Sequence, residues 1–566
     1  MGLFNRWSLN VIFVFACIIY IFGLTIDVIE IDSAQYASNS GEMYRTGSYL
    51  EVYQNGVDYL DKPPLIFWTA SWMYEIFGVH NWSFKLSSLL FSILGIMATY
   101  KIGYLLYNKR IGFVAALILL TCQAYFIYNN DVRTDAQLTG AVSFAVWQLI
   151  AYLYTKKWLN LVLGFIAIGV AMLAKGPIGI MVPALAMGSY LIGKQQYKKL
   201  FNWHWLVGIG VTALVLLPMS IGLYTQFDAQ PEKEVIFPTA KGPVIRDHVS
   251  GLKFFYWDQS FGRITGENSD WSDNSGFDFF FGIFAYSFMP WSLIAYWAIV
   301  WRIFNAARDF ALKRKKQEWL TLGGFVLPFI AFSLSKFKLD HYIYVTYPFA
   351  AIITAEFILR VIEEKPKWWV NTLVAMQSLA IIVAVTFAYI LASWVFPTSN
   401  IFIWSGLIIL SILTFYFLIV DSDKLHKIIL ASVFAALTFN WVFNLHFYNH
   451  LSSEYQNGKK LVTYIEEESI PKDELLISTM SYVYQINFYA KSNFWVHPIE
   501  DLESMDLNGK WVFVKDDELE TLMKKNPSLE IVKSFTKYPI TRLSTTFLNP
   551  NTRAGLLTTN YLVYIK

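Results

Sequence analysis

Ionisable side chains that could bind or transfer an anionic group occur at the ends of long apolar stretches. Asp32 follows the first apolar stretch directly, and Asp61 and Lys62 begin the segment Asp-Lys-Pro-Pro-Leu-Ile-Phe-Trp. A carboxylate at a membrane surface can take a proton from a hydroxyl or orient an acceptor group. A lysine at the same surface can bind a lipid phosphate. The simpler alternatives are a helix N-cap for Asp32 and an interfacial lysine that extends its charge into water for Lys62.

Three more segments carry charges at similar places. Asp135 ends the segment Asp-Val-Arg-Thr-Asp, which is either part of a site or an internal ion pair. Lys175 stands in a Lys-Gly-Pro turn with no acid nearby in the sequence, so it either faces an anionic lipid group or is an ordinary turn residue. Arg263 follows Phe-Gly in a long loop, where its guanidinium could bind a phosphate through two N–H groups or simply lie on the surface.

The densest group of such residues is Ser-Lys-Phe-Lys-Leu-Asp-His-Tyr, at 335–342. Lys336 and Lys338 supply positive charge and Tyr342 supplies a hydroxyl, so this segment could bind a phosphate or diphosphate headgroup. His341 has no partner ligands at metal spacing, and a metal site is therefore not predicted.

The composition indicates that these residues belong to a membrane protein. Apolar residues make up 55% of the chain, charged residues only 15%, and the mean hydropathy is +0.40. These values exclude a soluble protein. The net charge of +3 comes from short basic clusters, so nucleic acid is not an expected partner. The two cysteines lie in apolar stretches and predict neither a disulfide nor a zinc site.

About thirteen apolar stretches have the roughly 17 to 25 residues that a membrane-spanning helix needs. They centre on 8–27, 84–106, 111–128, 134–154, 159–174, 177–193, 203–223, 278–302, 319–335, 342–360, 368–396, 401–420 and 426–446. The first stretch does not end in a small-residue cleavage pattern, so we expect it to be retained as a span.

A further apolar run, Pro64 to Val79, decides the orientation of the whole chain. If this run does not cross the membrane, the basic loops all fall on one side, which the positive-inside rule makes the cytoplasm. These loops include Lys109-Arg110, Lys156-Lys157, Lys198-Lys199 and the cluster at 313–316. We therefore predict an interfacial or re-entrant helix at Pro64–Val79, a cytoplasmic N-terminus, and candidate site residues on the outer face.

From about residue 450 the chain becomes polar and carries runs of period two, such as Trp-Val-Phe-Val at 511–514. Such runs are typical of β-strands, and helical stretches lie between them. The sequence therefore predicts two parts. The first is a transmembrane domain at 1–449 with outer loops at 28–83 and 224–277, and the second is a small α/β soluble domain at 450–566 on the outer, periplasmic side.

Together these segments resemble the bacterial GT-C glycosyltransferases related to the aminoarabinose lipid A transferase and the protein O-mannosyltransferases. The resemblance covers most of the chain. It rests on six features: the acid that follows the first span, the segment Asp-Lys-Pro-Pro-Leu-Ile-Phe-Trp, Asp135, Ala-Lys-Gly-Pro at 174–177, Ser-Lys-Phe-Lys-Leu with Tyr342, and the C-terminal domain. It implies an α-helical polytopic membrane protein with the GT-C fold. Two positions depart from the family, since Ser33 stands where many relatives have a second acid and Asp61 stands where others have glutamate.

The resemblance also implies roles for individual residues. Asp32 would be the catalytic or acceptor-orienting carboxylate, with Asp61 and Asp135 as further acids of the catalytic site. The donor phosphate would be bound by Lys62, Arg263, Tyr342, Lys336 and Lys338. Whether Asp32 removes a proton or chiefly orients the acceptor stays open, because a phosphate acceptor is already ionised and needs no base.

The function implied is transfer of a sugar from a polyprenyl (undecaprenyl) phosphate donor to a lipid A, glycan or exported-protein acceptor, at the periplasmic face of the bacterial inner membrane. Attack from the side opposite the leaving phosphate would invert the anomeric centre. The expected partners are this donor, the acceptor and membrane lipids. No cofactor is required, and a divalent cation stays open. The alternative is a secondary transporter or lipid flippase, which would need ionisable residues near mid-membrane and broken helices at matching positions of two halves.

Overall fold

The computed structural model describes residues 4–239, 242–262, 275–312, 318–478, 482–541 and 543–566. Most of the chain before the C-terminal region is helical. Its α-helices are α1 (Arg6–Thr25), α2 (Asp32–Thr46), α3 (Leu65–Phe77), α4 (Asn81–Leu106), α5 (Lys109–Thr121), α6 (Gln123–Asn130), α7 (Thr134–Thr155), α8 (Trp158–Lys175), α9 (Ile178–Gly193), α10 (Tyr197–Leu200), α11 (His204–Leu223), α12 (Gly251–Lys253), α13 (Phe279–Ser287), α14 (Ser292–Ala311), α15 (Leu320–Leu334), α16 (Tyr347–Glu364), α17 (Lys367–Ile390), α18 (Ile401–Phe415), α19 (Lys424–Val442) and α20 (Asn449–Tyr455).

Among the described residues, nine helices or helical runs are long and apolar enough to cross a membrane. Helices α5 and α6, which are bent by 49° relative to each other, can form a tenth span. The shorter apolar helices α9 and α15 and the pair α13 and α14 fall on the remaining stretches of the sequence analysis. Each predicted span therefore contains a helix, and the chain is a multi-pass membrane protein.

The apolar run at Pro64–Val79 forms α3, which has 13 residues and is therefore about 20 Å long. This length falls short of the hydrocarbon core of a bilayer, which is roughly 30 Å thick. Helix α3 packs against α2 and α4. Its short length agrees with the interfacial or re-entrant helix that charge distribution predicts.

The two loops predicted to lie outside the membrane, which keep the name outer loops, carry two short hairpins, β1 (Tyr53–Gln54) with β2 (Val57–Asp58) and β3 (Val235–Thr239) with β4 (Gly242–Arg246). Helix α2 lies in the first outer loop and is buried from Ser33 to Met43. Its small side chains allow it to pack between α3 and a helix of the C-terminal region. The N-terminal end of a helix favours an acid, and Asp32 occupies the first turn of α2.

The C-terminal region contains a four-stranded sheet in the order β5 (Leu475–Ile477), β6 (Trp511–Lys515), β8 (Thr558–Ile565) and β7 (Leu529–Lys537). Strands β5 and β6 are parallel, whereas β8 is antiparallel to both β6 and β7. The helices here are α21 (Asn457–Glu467), α22 (Val483–Ala490), α23 (Ile499–Ser504), α24 (Asp516–Lys525), α25 (Thr545–Leu548) and α26 (Pro550–Arg553). This arrangement confirms the small α/β region.

Two details of this region differ from the sequence analysis. The sequence analysis did not identify β7 as a strand, because its residues are mostly exposed and lack a regular alternation of buried and exposed positions. The helical run that begins at Lys424 continues to Tyr455, so a helix crosses the domain boundary placed at 449/450. That boundary stays a prediction.

Three helix ends meet at the end of the membrane domain that carries the outer loops, and they bring the candidate residues together. Helix α2 begins at Asp32, α7 begins at Thr134 after a three-residue hinge, and α8 ends at Lys175. Gly176 follows with a φ of 72°, a conformation that glycine adopts without strain, and the chain then turns into α9. These turns place charged side chains around one cavity.

Candidate active site

A cavity of about 330 Å³ lies between the outer ends of the spans and the first outer loop. Its wall contains three acids, three bases and several aromatic and apolar side chains: Asp32, Tyr36, Asp61, Lys62, Arg133, Thr134, Asp135, Lys175, Pro177, Ile178, Met181, Gln259, Ala331, Phe332, Ser335, Phe337, Leu339, His341 and Tyr342. Five of the eight residues proposed from the sequence are in this wall. They are Asp32, Asp61, Lys62, Asp135 and Tyr342.

The other three proposed residues are not part of the described wall. Lys336 is exposed. Lys338 is buried, and its ammonium donates to the backbone carbonyls of Ser275 at 2.6 Å and Gly276 at 3.2 Å. Arg263 lies outside the described residues. The structure therefore does not bring the two lysines of the Ser-Lys-Phe-Lys segment to the cavity, and their binding role stays a prediction.

Asp32 forms an ion pair with Arg133 across the cavity wall. Ile31 is the N-cap residue of α2, so the interpretation of Asp32 as an N-cap is wrong. Arg133 also contacts Asp131, with 3.1 Å between the guanidinium and the carboxylate. Burial opposes the charge of Arg133, but Asp131 and Asp32 outweigh it and hold the pKa of the guanidinium above its ordinary value. Arg133 thus remains charged and fixes the direction of the Asp32 carboxylate.

Burial raises the pKa of Asp131, and the neighbouring Arg133 only partly offsets this effect. The Asp-Val-Arg-Thr-Asp segment therefore contains the internal pair that the simpler alternative foresaw, between Arg133 and Asp131. The same arginine also reaches Asp32, which is about a hundred residues earlier in the chain. Arg133 therefore forms an internal ion pair within this segment and also contacts a proposed site residue, Asp32.

Lys175 forms the second ion pair of the cavity, with 2.6 Å between its ammonium and Asp135. The ammonium also lies 4.4 Å from the ring centre of Tyr342, a distance that favours a cation–π interaction. His341 approaches the other oxygen of Asp135 at 3.7 Å. Lys175, which has no acid nearby in the sequence, therefore has an acidic partner in the fold and stands directly beside the Tyr342 ring.

Lys62 forms the third ion pair, at 2.5 Å from Asp61. The side-chain amide of Gln259 donates to the backbone carbonyl of Asp61 and so ties the second outer loop to this segment. Pro63 and Pro64 follow Lys62, and α3 begins at Leu65. The two prolines restrict the backbone just before the helix, so Lys62 is fixed at its entrance.

The sequence analysis missed two residues that support this site. Lys85 is fully buried in α4, and its ammonium donates to the backbone carbonyls of Ile26 at 2.8 Å and Gly23 at 3.3 Å, where α1 ends. A lysine within an apolar stretch was the signal that could have revealed it. Gln259 carries no comparable signal, because a single glutamine in a loop is common.

Among the described residues, no group of three or more His, Cys, Asp or Glu side chains is arranged to hold a metal ion. The cavity instead contains three acid–base pairs, and Lys62, Lys175 and the Tyr342 hydroxyl are groups that suit a phosphate. The carboxylate of Asp32 lies beside them. Such an arrangement can bind an anionic leaving group and orient a nucleophile next to it.

Comparisons with known proteins agree with this geometry. Residues 61–221 match the family model described as dolichyl-phosphate-mannose-protein mannosyltransferase. The fold is similar to that of ArnT from Cupriavidus metallidurans in the apo state, with a TM-score of 0.70, 16% sequence identity, and coverage of 98% of this chain and 97% of that chain. The chain therefore has the fold of this protein. ArnT of Cupriavidus metallidurans bound to undecaprenyl phosphate is similar to the chain with a TM-score of 0.71, at the same identity and coverage.

The chain is also similar to curated proteins. Undecaprenyl phosphate-alpha-4-amino-4-deoxy-L-arabinose arabinosyl transferase 2 of Proteus mirabilis is 23% identical over 319 residues, which are 55% of this chain and 52% of the relative. An uncharacterized protein of Aquifex aeolicus is 26% identical over 326 residues, which are 57% of this chain and 58% of that protein. The chain thus spans little more than half the length of these curated relatives.

Proposed function

We propose that this protein is a glycosyltransferase that moves a sugar from a polyprenyl phosphate, such as undecaprenyl phosphate, to an acceptor at the outer face of the membrane. The observation that carries the proposal is the cavity that Lys62, Lys175 and Tyr342 line together with the Asp32–Arg133 pair. The name of the Proteus mirabilis relative and the ligand of the Cupriavidus metallidurans structure support a donor of this class. The acceptor class is a lipid A, a glycan or an exported protein.

The leaving phosphate gains negative charge as the bond between the anomeric carbon and the phosphate oxygen breaks. Lys62 supplies an ammonium and Tyr342 a hydroxyl at the cavity wall, and the sequence adds Arg263 to this set. These groups stabilise the transition state more than the ground state, because the charge on the phosphate is larger there. Lys62 and Lys175 are each paired with a carboxylate, so the bound phosphate shares these cations with Asp61 and Asp135.

The acceptor oxygen attacks the anomeric carbon from the side opposite the phosphate, and the configuration is inverted. Asp32 lies on the acceptor side of this proposal. With a hydroxyl acceptor, its carboxylate takes the proton as the new bond forms. With a phosphate acceptor there is no proton to remove, and Asp32 with Arg133 orients the nucleophile. The apolar wall formed by Ile178, Met181 and Phe332 is suited to the first isoprene units of the donor.

The proposed orientation has the N-terminus in the cytoplasm of a bacterial cell and the cavity and C-terminal domain in the periplasm. At the end of the membrane domain opposite the cavity, Arg110 at the start of α5 forms an ion pair of 2.8 Å with Glu363 at the end of α16. The loops next to these two residues are basic, which supports a cytoplasmic position. The basic cluster at 313–316, which also entered the sequence prediction, lies outside the described residues.

The test is a transfer assay with purified protein in detergent, using radiolabelled polyprenyl-phosphate sugars and an envelope extract as the source of acceptor. Wild type is compared with Asp32→Asn and Lys62→Ala. Matched controls are Asp247→Asn, an exposed acid of the outer loop, and Lys253→Ala, an exposed lysine of the same loop. We expect the first two variants to lose transfer and the controls to keep it.

The labelled product of this assay identifies the acceptor class. Intact donor after incubation with folded wild-type protein would contradict the proposal. Normal transfer by both Asp32→Asn and Lys62→Ala would show that the cavity has been assigned to the wrong chemistry, and movement of the donor between leaflets would then favour a flippase.

A further inference from the structure

The segment that joins α1 to α2, Ile26–Ile31, is held by side chains of the C-terminal region. The backbone N–H of Val28 donates to the Tyr489 hydroxyl at 2.9 Å, and the Val28 carbonyl accepts from the side-chain amide of Gln485 at 2.6 Å. The backbone N–H of Glu30 donates to the side-chain carbonyl of Gln456 at 3.1 Å. Three backbone groups of one short segment thus bond to residues more than 400 positions later in the chain.

Gln485 is the centre of this contact. Its backbone N–H donates to the Glu30 carboxylate at 3.0 Å, and its side-chain oxygen accepts from the backbone N–H of Gly458 at 2.8 Å. Gln485 therefore links α21, α22 and the segment before α2. A Cβ atom at Gly458 would lie 2.6 Å from the Gln485 side chain, so glycine permits this close approach.

These hydrogen bonds lie away from water. Val28 and Gln485 are fully buried, and Gln456 is nearly so. A buried backbone group that loses its partner cannot bond to water instead, which costs about 1–3 kcal/mol for each group. The contact therefore fixes the backbone of Ile26–Ile31 much more firmly than exposed hydrogen bonds would.

The held segment runs directly into the candidate active site. Its carbonyls begin α2, since Ile29 accepts from the N–H of Ala34 at 3.0 Å and Ile31 accepts from that of Gln35 at 2.9 Å. Asp32 is the next residue in the chain. A shift of the segment would move the Asp32 carboxylate relative to Arg133, and displacements of about 1 Å can lower catalytic rates about 100-fold.

We propose that Gln456, Gln485 and Tyr489 are positioning residues for Asp32, and that the C-terminal domain is thereby a part of the active site. This inference rests on the proposed function, because the role of Asp32 does. Asn487 and Phe494 of the same region bond to Asn55, in the hairpin that precedes Asp61 and Lys62. Gln456, Gln485 and Tyr489 bond instead to the segment before Asp32, so we expect these three residues to act on the acceptor side of the reaction.

A neighbouring ion pair between Lys459 and Asp27, at 2.6 Å, joins the same two regions. Lys459 is half exposed, which weakens its ion pair, and the buried Asp27 also accepts from the Asn81 amide at 3.0 Å. We therefore assign the positioning effect to the buried amide and hydroxyl groups and expect Lys459→Met to change transfer less than twofold.

The test compares Gln485→Met in the full-length protein with a matched control, Asn457→Leu. Methionine keeps the volume of glutamine but removes the bonds of the side-chain amide. Asn457 is an equally buried amide side chain that donates within the C-terminal region, to the Phe535 carbonyl at 3.1 Å. A loss caused only by weaker folding of this region would appear in both variants.

Three measurements are made on each variant: hydrogen exchange of peptides covering 27–35, the amount of polyprenyl phosphate bound, and sugar transfer per bound donor. We expect Gln485→Met to exchange faster over 27–35, to bind the donor normally, and to transfer about 10- to 100-fold more slowly per bound donor. Asn457→Leu should leave the exchange rate over 27–35, the amount of donor bound and the transfer per bound donor unchanged, after correction for the fraction of folded protein.

Equal exchange over 27–35 or equal transfer per bound donor in the two variants would overturn the proposal. If Gln485→Met does not fold, Tyr489→Phe provides the same test, since it removes only the hydroxyl, which accepts from Val28 and donates to Asn81. If the wild type transfers no sugar, the proposed function fails and the positioning of a catalytic Asp32 fails with it. The exchange data then still decide whether the C-terminal domain holds the segment.

Discussion

Paired charges occur at both ends of this membrane domain, but in different settings. At the outer end, Asp32 and Arg133 face a cavity, and 39% of the Asp32 side chain is exposed. At the inner end, Arg302 is enclosed, with 1% exposed. Its guanidinium lies 2.8 Å from Glu318 and 3.9 Å from Glu356, and it also donates to the Tyr107 hydroxyl.

The difference separates charges that can act on a ligand from charges that join helices. The inner arginine links α4, α14 and α16 and the segment before α15. At the outer end, Asp32, Asp61 and the three cations stay partly accessible to a ligand, whereas Asp135 is 1% exposed. We therefore expect substitutions at the outer end to lower activity and substitutions at the inner end to lower stability.

The largest expected effect is that of Asp32→Asn. The substitution keeps the size of the side chain but removes its charge, so we expect transfer to fall about 1,000-fold while the melting temperature in detergent changes little. Scintillation counting of the product and a thermal-shift curve measure the two. A large fall in the melting temperature would remove the distinction between the two ends.

Arg302→Met tests the inner end. It leaves the buried Glu318 without its arginine partner and Glu356 with Arg360 alone, which we expect to lower stability by about 3–5 kcal/mol. Fluorescence-detected size exclusion after heating measures the loss. The folded fraction that survives should transfer sugar at the wild-type rate per molecule, and a reduced rate there would show that the inner cluster also affects catalysis.

Lys175→Met tests a residue that lines the cavity but is paired with a buried carboxylate. Asp135, its partner, is 1% exposed, so we expect a loss of about 1–3 kcal/mol in stability from the unpaired carboxylate. Lys175 also lies beside Tyr342 in the cavity, so we expect transfer to fall about 10- to 100-fold. Tight donor binding in the variant would show that Lys175 does not contact the phosphate.

The pH dependence of stability offers a smaller effect. Burial raises the pKa of Glu30 well above its ordinary value, although backbone N–H groups of Gln485 and Tyr484 oppose this. The folded protein therefore keeps a proton that the unfolded chain releases, and Glu30 lowers stability progressively as pH rises above about 4.5. Glu30→Gln should raise the melting temperature relative to wild type, and by more at pH 8 than at pH 5. The exposed Asp247→Asn serves as the control, and an equal difference at both pH values would contradict this cause.

The smallest expected effect is that of Arg110→Ala at the inner surface. Both side chains of the Arg110–Glu363 pair are about half exposed, and such pairs contribute about 0.2–1 kcal/mol. The melting temperature and transfer should both stay close to those of wild type. A loss as large as that of Arg302→Met would show that exposure does not distinguish the charges at this end.

Much of the fold could be predicted from local sequence. The apolar stretches gave the spans, because a helix of about 20 apolar residues is recognisable without knowledge of its neighbours. The charge distribution predicted that α3 does not cross the membrane, and the short length of α3 agrees with this prediction. Lys62 was recognised because Asp-Lys-Pro-Pro combines charge with a helix start in consecutive residues, and it does line the cavity.

The partners of these residues could not be predicted, because they are distant in sequence. Lys175 pairs with an acid 40 positions away, and Arg133 reaches Asp32 over 101 positions. The Ser-Lys-Phe-Lys segment shows the opposite problem. Its lysines are close together in sequence, but the turn directs Lys338 to the carbonyls of 275–276 and leaves Lys336 exposed, so local charge density overstated their part in the cavity.

The most direct test of the central claim is to locate the donor phosphate. A polyprenyl phosphate with a photoreactive diazirine beside the phosphate is cross-linked to the purified protein, and the labelled peptides are mapped by mass spectrometry. The account predicts labelling at 60–68 and at 335–347, reduced in Lys62→Ala but not in Lys253→Ala. Labelling confined to the lipid-facing groove between α17 and α18, around Tyr389, Ile408 and Ser411, with the cavity peptides unlabelled, would contradict it.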